Sequence, residues 1–436
     1  MSFCQRFAIL RGMLDIKFIK DHKDLIKEAA RKKRLNFDVE TLVATDDKRL
    51  EVLKQVETLR AKQNEANDQI SNSFDEAGRT ALIASMKSVK EELQQEEEKL
   101  KTIMSEWQKL MVQVPNIPDM SVPEGDTDAD NVEIKTYGDK PVFDFEPKSH
   151  VDIMSDLALA DFDRGTKVAG FRGYFLTGAG FKLNFALWQH ALDIAESHGF
   201  TPVLAPSLIR KESFIGTGYL PQGEEDLYKT QDEEYLSGTA EVPLMGYLMD
   251  EIVPVSSLPL KYIGFSPCFR REAGSHGRDV KGLIRVHEFF KIEQVILCEA
   301  RHDESVKWHE TLLEIAESYM QSLQIPYRVV VNSTGDLGLG QVKKYDIEAW
   351  VPGEQKYRET HSISYFHDFQ TRRLNTKYKD TDGKSRFLHS LNGTLAATPR
   401  LLVSLIENYQ QADGSILVPE VLQKYLGQDT IKKNQS

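Results

Sequence analysis

Between residues 265 and 297 the chain reads FSPCFRREAGSHGRDVKGLIRVHEFFKIEQVIL, and its second half sets Arg285, His287, Phe289, Lys291 and Glu293 at alternate positions. Successive side chains of a strand point to opposite faces, so these five share one surface, while Val286, Phe290 and Ile292 make the other largely apolar. Upstream, Arg270 and Glu272 stand two apart and would share a strand face in the same way. Gly274, Gly277 and Gly282 fall between the two runs and predict a loop, hence a long antiparallel hairpin. Guanidinium forks bind phosphate bidentately, a phenyl face stacks on a base, and a carboxylate accepts from an exocyclic amine, so such a surface suits a nucleotide. Residue types and spacing equally allow a sheet face laced with cross-strand ion pairs.

The elements that must carry this surface need a large chain, and 436 residues allow two domains with a sizeable core. A net charge of −12 excludes a protein that coats nucleic acid indiscriminately, so any RNA contact has to be regional. Cys4, Cys268 and Cys298 are too few and too scattered for a disulfide framework or a zinc site, which fits a reducing cytoplasm. No apolar run approaches the roughly 20 residues of a membrane span. The first residues, MSFCQRFAILRG, lack the features of a signal or transit peptide.

Along residues 16–35 an apolar pattern predicts a helix that closes on RKKR at 31–34, read as a solvated helix end or a phosphate contact. Heptad rows follow. Val52, Leu59 and Ala66 lie beside Val56, Gln63 and Ile70; after a break with Asn72, Asp75 and Gly78, a second helix sets Met86, Leu93, Leu100 and Trp107 beside Val89, Glu96, Ile103 and Leu110. Two such seams joined by a turn form an antiparallel coiled-coil hairpin of roughly 40 Å, which is expected to project. Heptads alone leave open a plain oligomerisation device. Pro115, Pro118 and Pro123, with acidic residues and glycine at 125–130, predict a linker. Beyond it, residues 147–162 start a helix, 170–180 (GFRGYFLTGAG) read as two short strands around glycine turns, and 181–198 read as a long helix.

The strings FRREAG and GLIRVHEFFKIE resemble motif 2 of the class II aminoacyl-tRNA synthetases and, in this wording, the seryl-tRNA synthetase family. The resemblance extends from Met13 to Gly427: the helix 181–198 with the strand ending at Pro206 is similar to motif 1, and LNGTLAATPRLLVSLIENYQ at 391–410 to motif 3. It implies an α+β fold, an antiparallel β-sheet class II catalytic core with helices, preceded by an N-terminal antiparallel α-helical coiled-coil arm that holds tRNA. The expected division is a disordered extension at 1–12, the arm at 13–120, a linker at 121–145, the catalytic domain at 146–430 and a tail at 431–436. Family members commonly begin near Met-Leu-Asp, so Met13 is the expected start of translation.

The implied activity is ATP-dependent ligation of L-serine to tRNA(Ser) through a seryl-adenylate, with tRNA(Sec) also a substrate where it exists, by a cytoplasmic homodimer without a membrane segment. Such chemistry asks for positioning and for charge neutralisation at phosphate, not for a nucleophilic triad. By resemblance, Arg270 and Arg400 are catalytic, with Arg270 bridging the α-phosphate and the substrate carboxylate and Arg400 clamping phosphate from the head of the motif 3 helix. ATP is expected to meet Arg270, Arg271, Glu272, Arg285, Val286, Phe289, Glu359, Thr360, His361, Ser362 and Arg400. Magnesium is implied at Glu359 and Ser362 of KYRETHSIS, although residues three apart face opposite sides of a regular strand, so a bulge or strand end is required. The family commonly has Ser where this chain has His361. Serine is expected at Thr239, Ala240, Glu241, Arg270, Glu293, Asn392 and Thr394. A buried carboxylate awaiting a hydroxyl donor is left unpaired by alanine, whereas threonine is excluded only by shape.

Lys54, Arg60, Lys62, Lys87 and Lys90 of the arm, and Arg278 and Lys281 of the motif 2 loop, are the residues expected to reach tRNA, and DFQTRR at 368–373 matches family wording without a role. Two rivals remain: a ligase that loads a carrier protein, which would lack the arm and use zinc with cysteine, and a silent synthetase-like scaffold, which would have lost some of Arg270, Glu272, Glu293, Glu359 or Arg400.

Overall fold

A computed structural model describes residues 15–72, 76–274, 277, 279 and 281–433. The extension expected at 1–12, the start at Met13 and Arg278 lie outside them. The described residues divide into two compact units: one takes 15–31 and Leu35–Pro115, the other Lys32–Arg34 and those from Asn116 onward.

In the first unit, helices α1 (Val39–Asn72) and α2 (Glu76–Met111) form the antiparallel pair that the heptads predict. Val52, Val56, Leu59 and Leu93 are buried in the seam, with Val89, Leu100 and Ile103 packed beside them. Each such side chain contributes about 1.5–3 kcal/mol by leaving water. Arg60 spans the pair to Glu97 at 2.7 Å. With 34 and 36 residues the helices are longer than the heptads suggest, about 50 Å each. The break falls at 73–75, outside the described residues, and Gly78 is already helical.

The second unit is built on an eight-stranded sheet, here numbered in chain order: β1 (Val132–Tyr137), β2 (Thr201–Leu204), β3 (Leu260–Phe269), β4 (Glu288–Cys298), β5 (Tyr327–Val331), β6 (Lys343–Val351), β7 (Lys356–His367) and β8 (His389–Thr398). Their spatial order is β1-β5-β6-β7-β8-β4-β3-β2, antiparallel except for the β2–β3 pair at one edge. Helices α3 (Gly178–Ser197), α4 (His302–Ser322) and α5 (Arg400–Asn408) supply Leu187, Ala316, Tyr319 and Leu401 to a core shared with Ile292, Ile296, Ile363, Leu391 and Leu395 of the sheet. Along the same strands Lys291, Glu293, Ser362, Asn392 and Thr394 line a cleft. The period-2 alternation thus puts an apolar layer under the helices and a polar floor opposite.

Several expectations change. The segment expected as a linker at 121–145 contains β1, which pairs with β5 through Val132 and Val331. Before it the chain is also tied down, with Asn116 donating its backbone N–H to Leu339 O. Residues 170–180 hold one two-residue strand, Phe175–Leu176, because α3 already begins at Gly178. In the RKKR run, Lys33 is not solvated: its ammonium is buried and donates to the carbonyls of Gly338, Leu339 and Gln341 at 2.6–3.0 Å. Burial pushes its pKa well down.

Candidate active site

The hairpin of β3 and β4 pairs Leu260 with Leu297 through to Phe269 with Glu288, so the chain leaves the sheet at Arg270 and re-enters only at Glu288. Arg270 and Glu272 therefore do not share a strand face as their spacing suggests. Glu272 adopts φ +53°, a left-handed turn conformation that folds its carboxylate back toward Arg285. Arg285 Nη1 meets Glu272 Oε2 at 2.6 Å and its Nε meets Asp279 Oδ2 at 3.3 Å.

All of this opens onto a cavity of about 400 Å³. Arg270 and Arg400, 130 positions apart in the chain, both line it. The Arg270 guanidinium lies 5.2 Å from the Phe289 ring centre and donates to the Gly238 carbonyl. Arg400 opens helix α5, where backbone N–H groups also favour anions, and donates to Ile284 O, Glu359 O and Glu359 Oε2 at 3.0, 3.0 and 3.3 Å.

Glu359 and Ser362 reach the same cavity by the required bulge. Across β6 and β7, Ile347 faces His361 while Glu348 faces Glu359, leaving Thr360 as the extra residue. Burial by itself would raise the Glu359 pKa, but Arg400, Lys344 and Arg270 outweigh it and hold the carboxyl below its usual value. An ionised carboxylate and a hydroxyl are hard oxygen donors of the kind magnesium takes. Among the described residues no group of three His, Cys, Asp or Glu side chains could hold a metal unaided.

The opposite end of the cavity is lined by Glu241, Glu293, Asn392, Thr394, Lys291 and Tyr219. Lys291 Nζ lies 2.5 Å from Glu293 Oε2, to which the Thr394 hydroxyl also donates at 3.2 Å. Glu241 is buried and accepts from the Tyr219 hydroxyl and from Gln370 Nε2. Burial, and then the like charge of Glu293, raise its pKa to about 7.

Of the expected residues, Arg270, Glu272, Arg285, Val286, Phe289, Glu359, Thr360, Ser362 and Arg400 surround the cavity with Glu241, Glu293, Asn392 and Thr394. Four do not. His361 turns to the core, fully buried, its Nε2 against Leu395 O and its Nδ1 against the Thr360 hydroxyl, because the bulge reverses its face. Arg271 points to solvent just past the strand end, held by its backbone N–H on Asp226 O. Thr239 and Ala240 are buried behind the wall: the Thr239 hydroxyl accepts from the Glu241 N–H, and Ala240 packs with Leu244 and Val295. Tyr219, Asp226, Gln341 and Ser364 line the cavity without having been singled out, since nothing in their local strings sets them apart.

An antiparallel sheet with an arginine hairpin on one side and an arginine-headed helix on the other is the catalytic architecture of a class II aminoacyl-tRNA synthetase. The model of the tRNA synthetase class II core domain (G, H, P, S and T) matches residues 226–409, and that of the seryl-tRNA synthetase N-terminal domain matches residues 13–118. A serine–tRNA ligase of Deinococcus radiodurans is 45% identical over 95% of this chain and 98% of its own length. The crystal structure of a Pyrococcus horikoshii seryl-tRNA synthetase complexed with ATP covers 97% of this chain and 100% of its own, at 37% identity and TM-score 0.86. A cytoplasmic serine–tRNA ligase of Naegleria fowleri in complex with AMP gives 32% identity and TM-score 0.83, covering 98% of this chain and all of its own.

The chain belongs to the seryl-tRNA synthetase family. Its activity is the ligation of serine to tRNA.

Proposed function

We propose that ligation proceeds through a seryl-adenylate formed in this cleft. The serine carboxylate attacks the α-phosphorus of ATP, expelling diphosphate, and the terminal ribose hydroxyl of tRNA(Ser) then takes the seryl group and releases AMP. The single observation that carries this reading is the opening of Arg270 and Arg400 onto one cavity that ends in two carboxylates, Glu241 and Glu293. Arg270, beside Phe289, neutralises charge developing on the α-phosphate while Phe289 stacks on adenine. Arg285 and Arg400 take the outer phosphates, Arg285 exchanging a carboxylate partner for phosphate. Glu272, released from Arg285, turns to adenine. Glu359 and Ser362 are the residues that would hold magnesium, which would supply charge neutralisation at phosphate. Glu241 meets the serine ammonium, and Glu293 with Thr394 accepts and fixes its hydroxyl.

The arm formed by α1 and α2 holds tRNA(Ser), and tRNA(Sec) where the organism has one. The exposed apolar side chains of Phe181, Phe185 and Leu204 support a homodimer through α3 and β2. The buried thiols Cys268 and Cys298 support a cytoplasmic setting. Among the described residues no helix is long and apolar enough to cross a membrane.

Amino-acid-dependent ATP–diphosphate exchange tests the reading. Exchange should require serine, and exchange with threonine or glycine but not serine would overturn it. Deleting residues 46–110 should leave serine-dependent exchange nearly intact while abolishing tRNA charging; equal loss of both would assign the arm to support of the active site.

A further inference from the structure

The two oxygens of Glu241 are fixed before any substrate arrives: the Tyr219 hydroxyl donates to Oε2 at 2.9 Å and Gln370 Nε2 to Oε1 at 2.6 Å. Gln370 belongs to the short helix Phe369–Arg373 of the DFQTRR string, is fully buried, and does not line the cavity. A carboxylate only accepts, so the amide edge facing Glu241 must be nitrogen and the opposite edge oxygen. That oxygen is met by the Ser390 hydroxyl of β8 at 2.7 Å, which must therefore donate. The second amide hydrogen is directed to Thr217 O at 3.4 Å. The relay Ser390–Gln370–Glu241 leaves the carboxylate with free lone pairs toward the cavity and no freedom to rotate.

We infer that Gln370 is a positioning residue for recognition of the amino-acid substrate, acting through Glu241 on the ammonium group. The inference rests on the reading that Glu241 receives that ammonium. Glu241 faces Glu293, Lys291, Arg270 and Tyr219 as well as Gln370, and burial with the charge of Glu293 opposes its ionisation. The two donors work in the opposite direction. Without the amide, the carboxylate takes up a proton at higher pH and can no longer pair with an ammonium. A protonated Glu241 could also donate to a flipped amide, and the Thr217 carbonyl, which can only accept, resists that flip because it would then face the amide oxygen.

The test is Gln370→Met, of similar volume and without donors, beside Ser390→Ala and Glu241→Gln, in diphosphate exchange from about pH 6 to 9. For Gln370→Met the KM for serine at neutral pH should rise about tenfold or more, as loss of a charge-assisted hydrogen bond implies. The acid limb of kcat/KM for serine should move about half a pH unit or more toward alkaline pH, with the KM for ATP within about twofold. Ser390→Ala should shift the limb in the same direction by less, and it alone decides if the Gln370→Met chain does not fold. An unmoved acid limb in the folded variants, or KM values for serine and ATP rising together, would overturn the inference. If Glu241→Gln itself keeps the parental KM for serine, the assignment of Glu241 fails and takes the inference with it. A raised KM there with unmoved limbs in the other two defeats the positioning role alone.

Discussion

The two ends of the cleft handle charge in opposite ways. At the arginine end, Arg285 pairs with Glu272 and Asp279, Asp279 also with Arg358, and Arg400 with Glu359, in a mesh where each carboxylate has a cation beside it. Glu359 consequently stays ionised. At the far end, Glu241 accepts from the neutral donors Tyr219 and Gln370, while the nearby Lys291 is paired with the second carboxylate, Glu293; burial and the like charge of Glu293 raise the Glu241 pKa to about 7. The first end can exchange internal partners for phosphate at modest cost, because charge is already balanced there. The second end holds a carboxylate that lacks a full counter-charge, which the ammonium of the proposed substrate pose would supply. In the proposed mechanism, affinity for polyphosphate and selectivity for a small amino acid would thus come from different electrostatic designs.

The largest expected effect lies at the junction of the two ends. Arg270→Ala should slow serine-dependent exchange by about a hundredfold or more, since a preorganised donor to developing phosphate charge is lost; near-normal turnover would remove Arg270 from the mechanism. Next, the two ends should separate in their response to pH. As pH falls through about 7, Glu241 takes up a proton and the KM for serine should rise, whereas the KM for ATP should stay flat because the Glu359 pKa is depressed. Parallel pH dependence of both constants would erase the distinction. The smallest effect is at Arg271, whose side chain points away from the cavity: Arg271→Ala should change the KM for ATP by less than about twofold, against a far larger penalty at Arg270. A matching loss at both would bring Arg271 into the site.

Much of this was legible in the sequence wherever a regular period governs geometry. The coiled-coil seam followed from heptads and the β3–β4 pair from alternation around glycines; for Glu359 and Ser362 the sequence left a bulge or a strand end open, and the register places a bulge at Thr360. Legibility failed where the chain leaves a regular element. Arg271 and Glu272 follow the last residue of β3, so Glu272 reaches the cavity through a turn and not through a strand face, and the left-handed backbone that does this has no marker in a non-glycine residue; Arg271, expected by resemblance alone, points to solvent. His361, expected at ATP by resemblance alone, faces the core because one extra residue reverses every face on one side of a bulge. Thr239 and Ala240 were grouped with Glu241 as a triplet, yet only Glu241 emerges from the wall. Gln370, within the DFQTRR string, was left without a role for a different reason: it meets Glu241 across 129 positions, and no local pattern encodes such a contact.

A crystal structure with a non-hydrolysable seryl-adenylate analogue would measure the central claim directly. The analogue's phosphate should lie within hydrogen-bonding distance of Arg270, its adenine on Phe289, and its ammonium on Glu241. A bound analogue with its ammonium at the Arg400 end, or with its phosphate remote from Arg270, would contradict the account.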